Sequence, residues 1–234
     1  MENENVKTGT DRRKFLGTLT TGAAAMSFAG LLSPLQEASA SPAINIEGLS
    51  DAEAWFKKIK GKHRIVFDAT QPHDIFPFAW PRVFLLTNEM TGTPSKDCGV
   101  VVVLRHSAIG YALQPQLWSK YNLGGVFGAE DPATKKPATR NPFWKPNKGD
   151  FKVPGIGEVA IGINELQDSG VMFCVCEAAI TVYSAVVADA MKLDAVEIRK
   201  DWVAGLLPGI QPVPSGVWAV GRAQEHGCNY CFAG

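Results

Sequence analysis

The stretch Cys98-Gly99-Val100-Val101-Val102-Val103-Leu104-Arg105-His106 decides the fold. Residues 100–104 are five branched apolar side chains in a row. A strand with one wet face alternates apolar and polar residues; an unbroken apolar run is covered on both faces, as a central strand of a parallel sheet is. Outward from it, Arg64-Ile65-Val66-Phe67-Asp68-Ala69 is a shorter β-rich run that stops at the turn-forming Gln71-Pro72-His73-Asp74. Gly170-Val171-Met172-Phe173-Cys174-Val175-Cys176 is a third strand. Helical patterns cover residues 80–91 with Pro81 at the start, 113–123, 159–169, the Ala-rich 177–191, and 196–207 around Trp202. Ile210-Gln211-Pro212-Val213-Pro214 is a short extended piece, Ser215 caps a helix to about His226, and Asn229 to Phe232 forms a last strand. Strands alternating with helices, without hairpin signals between them, predict right-handed βαβ units. The fold class is α/β, a mostly parallel sheet with helices on both faces.

The flanks add three things. Asp11-Arg12-Arg13-Lys14-Phe15-Leu16 precedes a mild Gly-, Thr- and Ala-rich apolar run that ends at Ala38-Ser39-Ala40. Paired arginines, weak hydrophobicity and a small-x-small cleavage site read as a twin-arginine export signal over residues 1–40, although Asp11 stands where Ser or Thr is usual and Gly17 where Lys is. The competing reading is a membrane anchor, since about 18 apolar residues span a bilayer. Residues 41–61 form an N-terminal extension, where Ser50 as N-cap and Glu53 at the capping-box position open a short helix. Residues 62–234 are the domain, interrupted over 124–157 by a Gly-, Pro-, Lys- and Asn-rich loop insertion. Loops of that length belong to a lid, a binding surface or a contact, and Phe143 and Trp144 point to docking.

Composition excludes several classes. Lys and Arg total 23 and so do Asp and Glu, so the chain is neutral and has no electrostatic reason to bind nucleic acid or anionic lipid. No hydrophobic segment after the signal is long enough to span a membrane. All five cysteines, Cys98, Cys174, Cys176, Cys228 and Cys231, follow the signal, and an odd number cannot all pair within one chain.

Ligands in open α/β sheets bind where loops leave the carboxyl ends of strands. That places interest on residues 68–74, on His106 and Ser107, and on residues 174–177. Cys176 ends a buried strand and faces the start of the next helix, whose N–H groups and dipole favour an anion such as a thiolate or persulfide. Glu177 beside it opposes that charge if it points inward. Cys174, two residues earlier, is expected on the same side of the strand, deeper, as a small buried hydrophobe. His106 is a candidate base or ligand. Cys228-Asn229-Tyr230-Cys231 is a Cys-x-x-Cys, which can close a local disulfide, exchange redox equivalents or supply half a metal site. Combined with Cys176, it would be soft enough for copper(I) or zinc. Phe232 stands where haem attachment requires His, and no phosphate-binding or Gly-x-Ser-x-Gly motif occurs.

These pieces together resemble the DsrE/DsrF-like family. The resemblance is carried by the valine-rich strand, the strand-end Cys176, the helix start Val213-Pro214-Ser215-Gly216, and Gln224-Glu225-His226-Gly227 near the end; it spans roughly residues 62–232 outside the insertion. It implies a small Rossmann-like domain of about five strands that forms homo-oligomers. It implies further that Cys176 carries sulfur as a persulfide between a donor and an acceptor protein. Cys174, the insertion and the cysteine-containing tail depart from the family pattern and suggest thiol or metal chemistry of this chain's own. The expected function is an exported sulfur carrier, a sulfurtransferase if an enzyme at all, with Cys228 or Cys231 as resolving thiol and His106 and Cys174 in support. The alternatives are a non-enzymatic oligomeric module that binds a small ligand or soft metal through the same cysteines, and a structural partner of a membrane redox complex.

Overall fold

Five strands pair side by side in the order β6-β5-β2-β1-β7, where β1 is His63–Ala69, β2 Cys98–Leu104, β5 Met172–Cys176, β6 Ile210–Val213 and β7 Asn229–Phe232. Every pairing is parallel. The computed structural model describes residues 46–234; the twin-arginine signal expected over residues 1–40 lies outside the described residues. Among the described residues no helix is long and apolar enough to cross a membrane. The architecture is an α/β, Rossmann-like parallel sheet flanked by helices.

The chirality of crossovers explains the layers. The steps β1 to β2, β2 to β5 and β5 to β6 all move the same way across the sheet, so right-handed connections place their helices on one face. That face carries α2 (Phe76–Met90), α5 (Ile163–Asp168), α6 (Glu177–Met191) and α7 (Ala195–Ala204). Phe78 and Leu85, Ile180 and Val187, and Ile198 and Trp202 pack there on Phe67, Val100, Val102, Phe173 and Val175. The step from β6 to β7 runs back across the whole sheet, so α8 (Gly216–Glu225) lies on the other face, beside α1 (Ile46–Phe56). Val66, Val101, Val103 and Cys174 meet Ala219, Ala223, Trp55 and Phe56 there. The valines of β2 thus alternate between two cores, and all seven of its residues are buried. Pro212 sits in β6, an edge strand, where a missing N–H can face outward.

Several helices begin elsewhere than their local sequence signals indicate. Ser50 does not cap α1, which already runs from Ile46. That helix is selected by burial of Ala52, Trp55 and Phe56 along one side, and tertiary packing of an apolar face outweighs a cap signal. Pro81 does not start α2; Pro77 occupies its first turn and Pro81 lies inside. The helix extends back because Phe78 is fully buried, stacked on Phe143 at 4.1 Å. The single helix expected over 113–123 is instead α3 (Pro115–Lys120) and α4 (Leu123–Phe127), separated by Asn122 in the left-handed region with φ 51°. The helix expected from residue 159 begins only at Ile163.

The insertion holds a two-stranded antiparallel ribbon, β3 (Lys152–Val153) and β4 (Gly157–Glu158), and is otherwise largely irregular. It is docked on the core. Asn141, fully buried, donates through Nδ2 to the carbonyls of Tyr111 at 2.8 Å and Leu113 at 2.9 Å. Phe143 stacks between Phe78 and Phe151.

Ser215 caps α8 as its sequence indicates, its Oγ accepting from Trp218 N–H at 3.2 Å. Ser215→Ala is expected to lower stability by about 1 kcal/mol, the usual value of a lost N-cap, read as a shift in the urea midpoint.

Candidate functional site

The carboxyl ends of the strands carry the polar chemistry. Asp68, the sixth residue of β1, is 2 % exposed. It is ionically paired with Arg105, the residue after β2: Nε lies 2.6 Å from Oδ1 and Nη2 2.9 Å from Oδ2. The Tyr230 hydroxyl of β7 donates to the same carboxylate at 3.0 Å. A bidentate guanidinium–carboxylate pair with a third donor fixes three strand ends against one another. The hydrogen bonds to Asp68 hold Arg105 above its ordinary pKa, against the effect of burial, and Tyr230 and Cys176 push it in the same direction. Arg105 arches over the start of α8: a Cβ at Gly216 would lie 2.4 Å from the Arg105 Cβ, so only glycine follows Ser215 there.

Cys176 ends β5 and is the N-cap of α6. Its sulfur accepts the Ala179 N–H at 3.3 Å, a hydrogen bond that strengthens as the sulfur gains negative charge. The residue is 6 % exposed. Glu177 does not crowd the sulfur with an unpaired charge; its carboxylate lies 3.9 Å from Arg199 on α7.

Cys174 does not share a side with Cys176. It belongs to the core under α8, while Cys176 belongs to the core under α6. Strand alternation predicts a common side, but capping draws the Cys176 sulfur toward α6. Burial pushes the Cys174 thiol far up, and Cys176 adds to the shift, so Cys174 stays a neutral, small apolar side chain.

His106 opens a 3-10 turn with φ 49° and meets α6 through Tyr183, whose hydroxyl lies 3.3 Å from Nδ1. Burial and the charge of Arg105 lower its pKa, against a backbone hydrogen bond involving Thr70. It bonds Tyr183 rather than Cys176.

The tail cysteines are not brought to Cys176. Cys231 lies in β7, three strands away, and at ~4.8 Å per strand spacing the separation is at least about 14 Å. A disulfide needs Cα atoms within about 4.4–6.8 Å. Nor do the two pair with each other: all five cysteines are free. Cys228, just before β7, is in the core under α8, while Cys231, within β7, packs against the other. Burial pushes the Cys228 thiol up to about 11, despite the nearby Arg64, and also raises Cys231. Among the described residues no three His, Cys, Asp or Glu side chains gather in a way that would hold a metal ion.

Asp68, Arg105 and Tyr230 as a unit escape a sequence reading, because their positions lie on three strands far apart in the chain. The one local signal is Arg105 itself, a charge placed directly after seven buried residues.

No protein-family model matches the chain. No curated protein matches it either. Among solved structures, it is similar to a protein of unknown function from Methanobacterium thermoautotrophicum, at 18 % identity and a TM-score of 0.38, covering 73 % of this chain and 99 % of that one. The functional reading therefore rests on the residues themselves.

Proposed function

We propose that this chain is an exported sulfur-handling protein of the DsrE-like type, in which Cys176 carries sulfur as a persulfide. The observation that supports it most is the seat of one sulfur atom: Cys176 closes β5, caps the fifteen-residue α6 and receives a backbone N–H on its Sγ. An extra sulfur on Cys176 would extend toward the strand ends where Arg105 supplies positive charge.

The step is an S–S exchange. The Cys176 thiolate attacks a terminal sulfur of a donor polysulfide or persulfide; a Cys176 S–S bond forms, the donor S–S bond breaks, and the shortened donor leaves with the electron pair. An acceptor thiolate reverses the same chemistry. Because Cys176 is only 6 % exposed, small donors reach it more readily than a folded protein does. With Cys231 on β7 and Cys228 just before it, release by a resolving thiol would come from a second molecule. Homo-oligomer formation belongs to the same proposal, and α2 supports it by exposing Trp80, Val83, Leu86 and Met90 along one side.

The test is the intact mass of the full-length protein before and after sodium polysulfide. The expected result is a gain of one sulfur that maps to Cys176 and disappears on reduction. No gain, or a gain that maps to Cys231, overturns the proposal; bound copper or zinc in the purified protein would point to the binding module instead.

A further inference from the structure

A cleft of about 340 Å³ opens between the loop after β1 and the insertion, and Cys176 is not part of its lining. Its size falls at the lower end of small-molecule sites, which run about 300–1,000 Å³. Ile75, Phe143 and Phe151 supply apolar walls, and Asp74, Glu130 and Lys135 supply charge. Asp74 and Glu130 are both exposed. None of the three charged side chains makes an ion pair among the described residues.

The decisive feature is Tyr111. It lines the cleft and is 3 % exposed, with its ring wedged against Phe78, Phe143 and Trp118. Its hydroxyl has no hydrogen-bond partner among the described residues. The ring is buried but the hydroxyl is open to the cleft, so whatever fills the cleft, water or a ligand, is its hydrogen-bond partner. Burial, with Asp74 nearby, pushes the phenol far above its ordinary pKa, so it stays a neutral donor and acceptor.

We propose that this cleft binds a small organic cation with an apolar or aromatic body, its ammonium or guanidinium group held by Asp74 and Glu130 and its body against Phe143 and Phe151. Two carboxylates against one ammonium leave the lining negative, which excludes a simple anion as the favoured ligand. Aromatic walls favour a cation over a neutral molecule of the same shape. The Tyr111 hydroxyl then bonds a polar group of the ligand. The site is independent of the sulfur chemistry at Cys176.

The experiment is calorimetric titration of the full-length protein with 2-phenylethylamine, and with phenylacetate as a probe of the same shape and opposite charge. Saturable binding of the amine at about millimolar affinity or tighter, and none of phenylacetate, is expected. Asp74→Asn and Glu130→Gln, at exposed positions, should each weaken the amine about tenfold. Tyr111→Phe should weaken it severalfold while leaving the unfolding midpoint unchanged, because the hydroxyl has no protein bond to lose. No saturable binding of the amine, equal binding of phenylacetate, or unchanged affinity in the Asp74 and Glu130 variants overturns the proposal.

Discussion

Cys176→Ser is expected to fold with stability equal to or slightly above that of the wild-type chain and to take up no sulfur. Stability at this position rests on the cap. Ala179 is the third residue of α6, the position whose N–H a capping side chain accepts, and the Cys176 sulfur receives it at 3.3 Å. Serine is among the best N-cap residues, so its Oγ preserves that hydrogen bond while removing the nucleophilic sulfur. Cys176→Ala removes both, and about 1–2 kcal/mol should go with the lost cap and methyl-sized void. Urea midpoints and intact masses after polysulfide treatment of the two variants separate the roles. Sulfur uptake by the Ser variant would show that another thiol is the carrier. A Ser variant that fails to fold would show Cys176 to be structural.

Asp68→Ala is expected to destabilise the domain by about 2–3 kcal/mol, somewhat less than the ~3–5 kcal/mol of breaking a fully buried ion pair. The discount comes from Arg105, whose side chain keeps 29 % exposure while that of Asp68 keeps 3 %. Removing the carboxylate strands a guanidinium at the mouth of the sheet and leaves the Tyr230 hydroxyl without its acceptor. Tyr230→Phe removes only one donor from a residue 48 % exposed and should cost no more than about 1 kcal/mol. Guanidinium or urea unfolding of the two variants measures both. Equal, small effects would mean that the pair is a solvated surface contact.

The legible parts of the fold were those where one short segment satisfies its own constraint. β2 could be read because five branched apolar residues admit only burial on both faces. α6 could be read to its ends, Glu177–Met191, because an Ala-rich run directly follows a strand. The start of α8 could be read from Ser215. The starts of α1 and α2 could not, since Ser50 and Pro81 carry ordinary start signals that packing of Trp55, Phe56 and Phe78 overrides. Within the candidate site, Cys176 at a strand end was legible for the same local reason. The fate of the Cys-x-x-Cys was not, because whether three residues apart means near or opposite depends on the backbone being helix, turn or strand.

The sequence by itself determined the parallel α/β architecture, the buried central strand and the position of Cys176 where a strand hands over to a helix, because each follows from hydrophobic period and local backbone chemistry. Tertiary structure alone decided strand order, and with it the pairing of Asp68 on β1 with Arg105 after β2 and Tyr230 on β7. It alone separated Cys231 from Cys176 by three strands and pressed the insertion onto Phe78 to shape the cleft around Tyr111. The physical reason is common to all of these: such contacts join residues far apart in the chain, and their energy exists only once the sheet has brought them together.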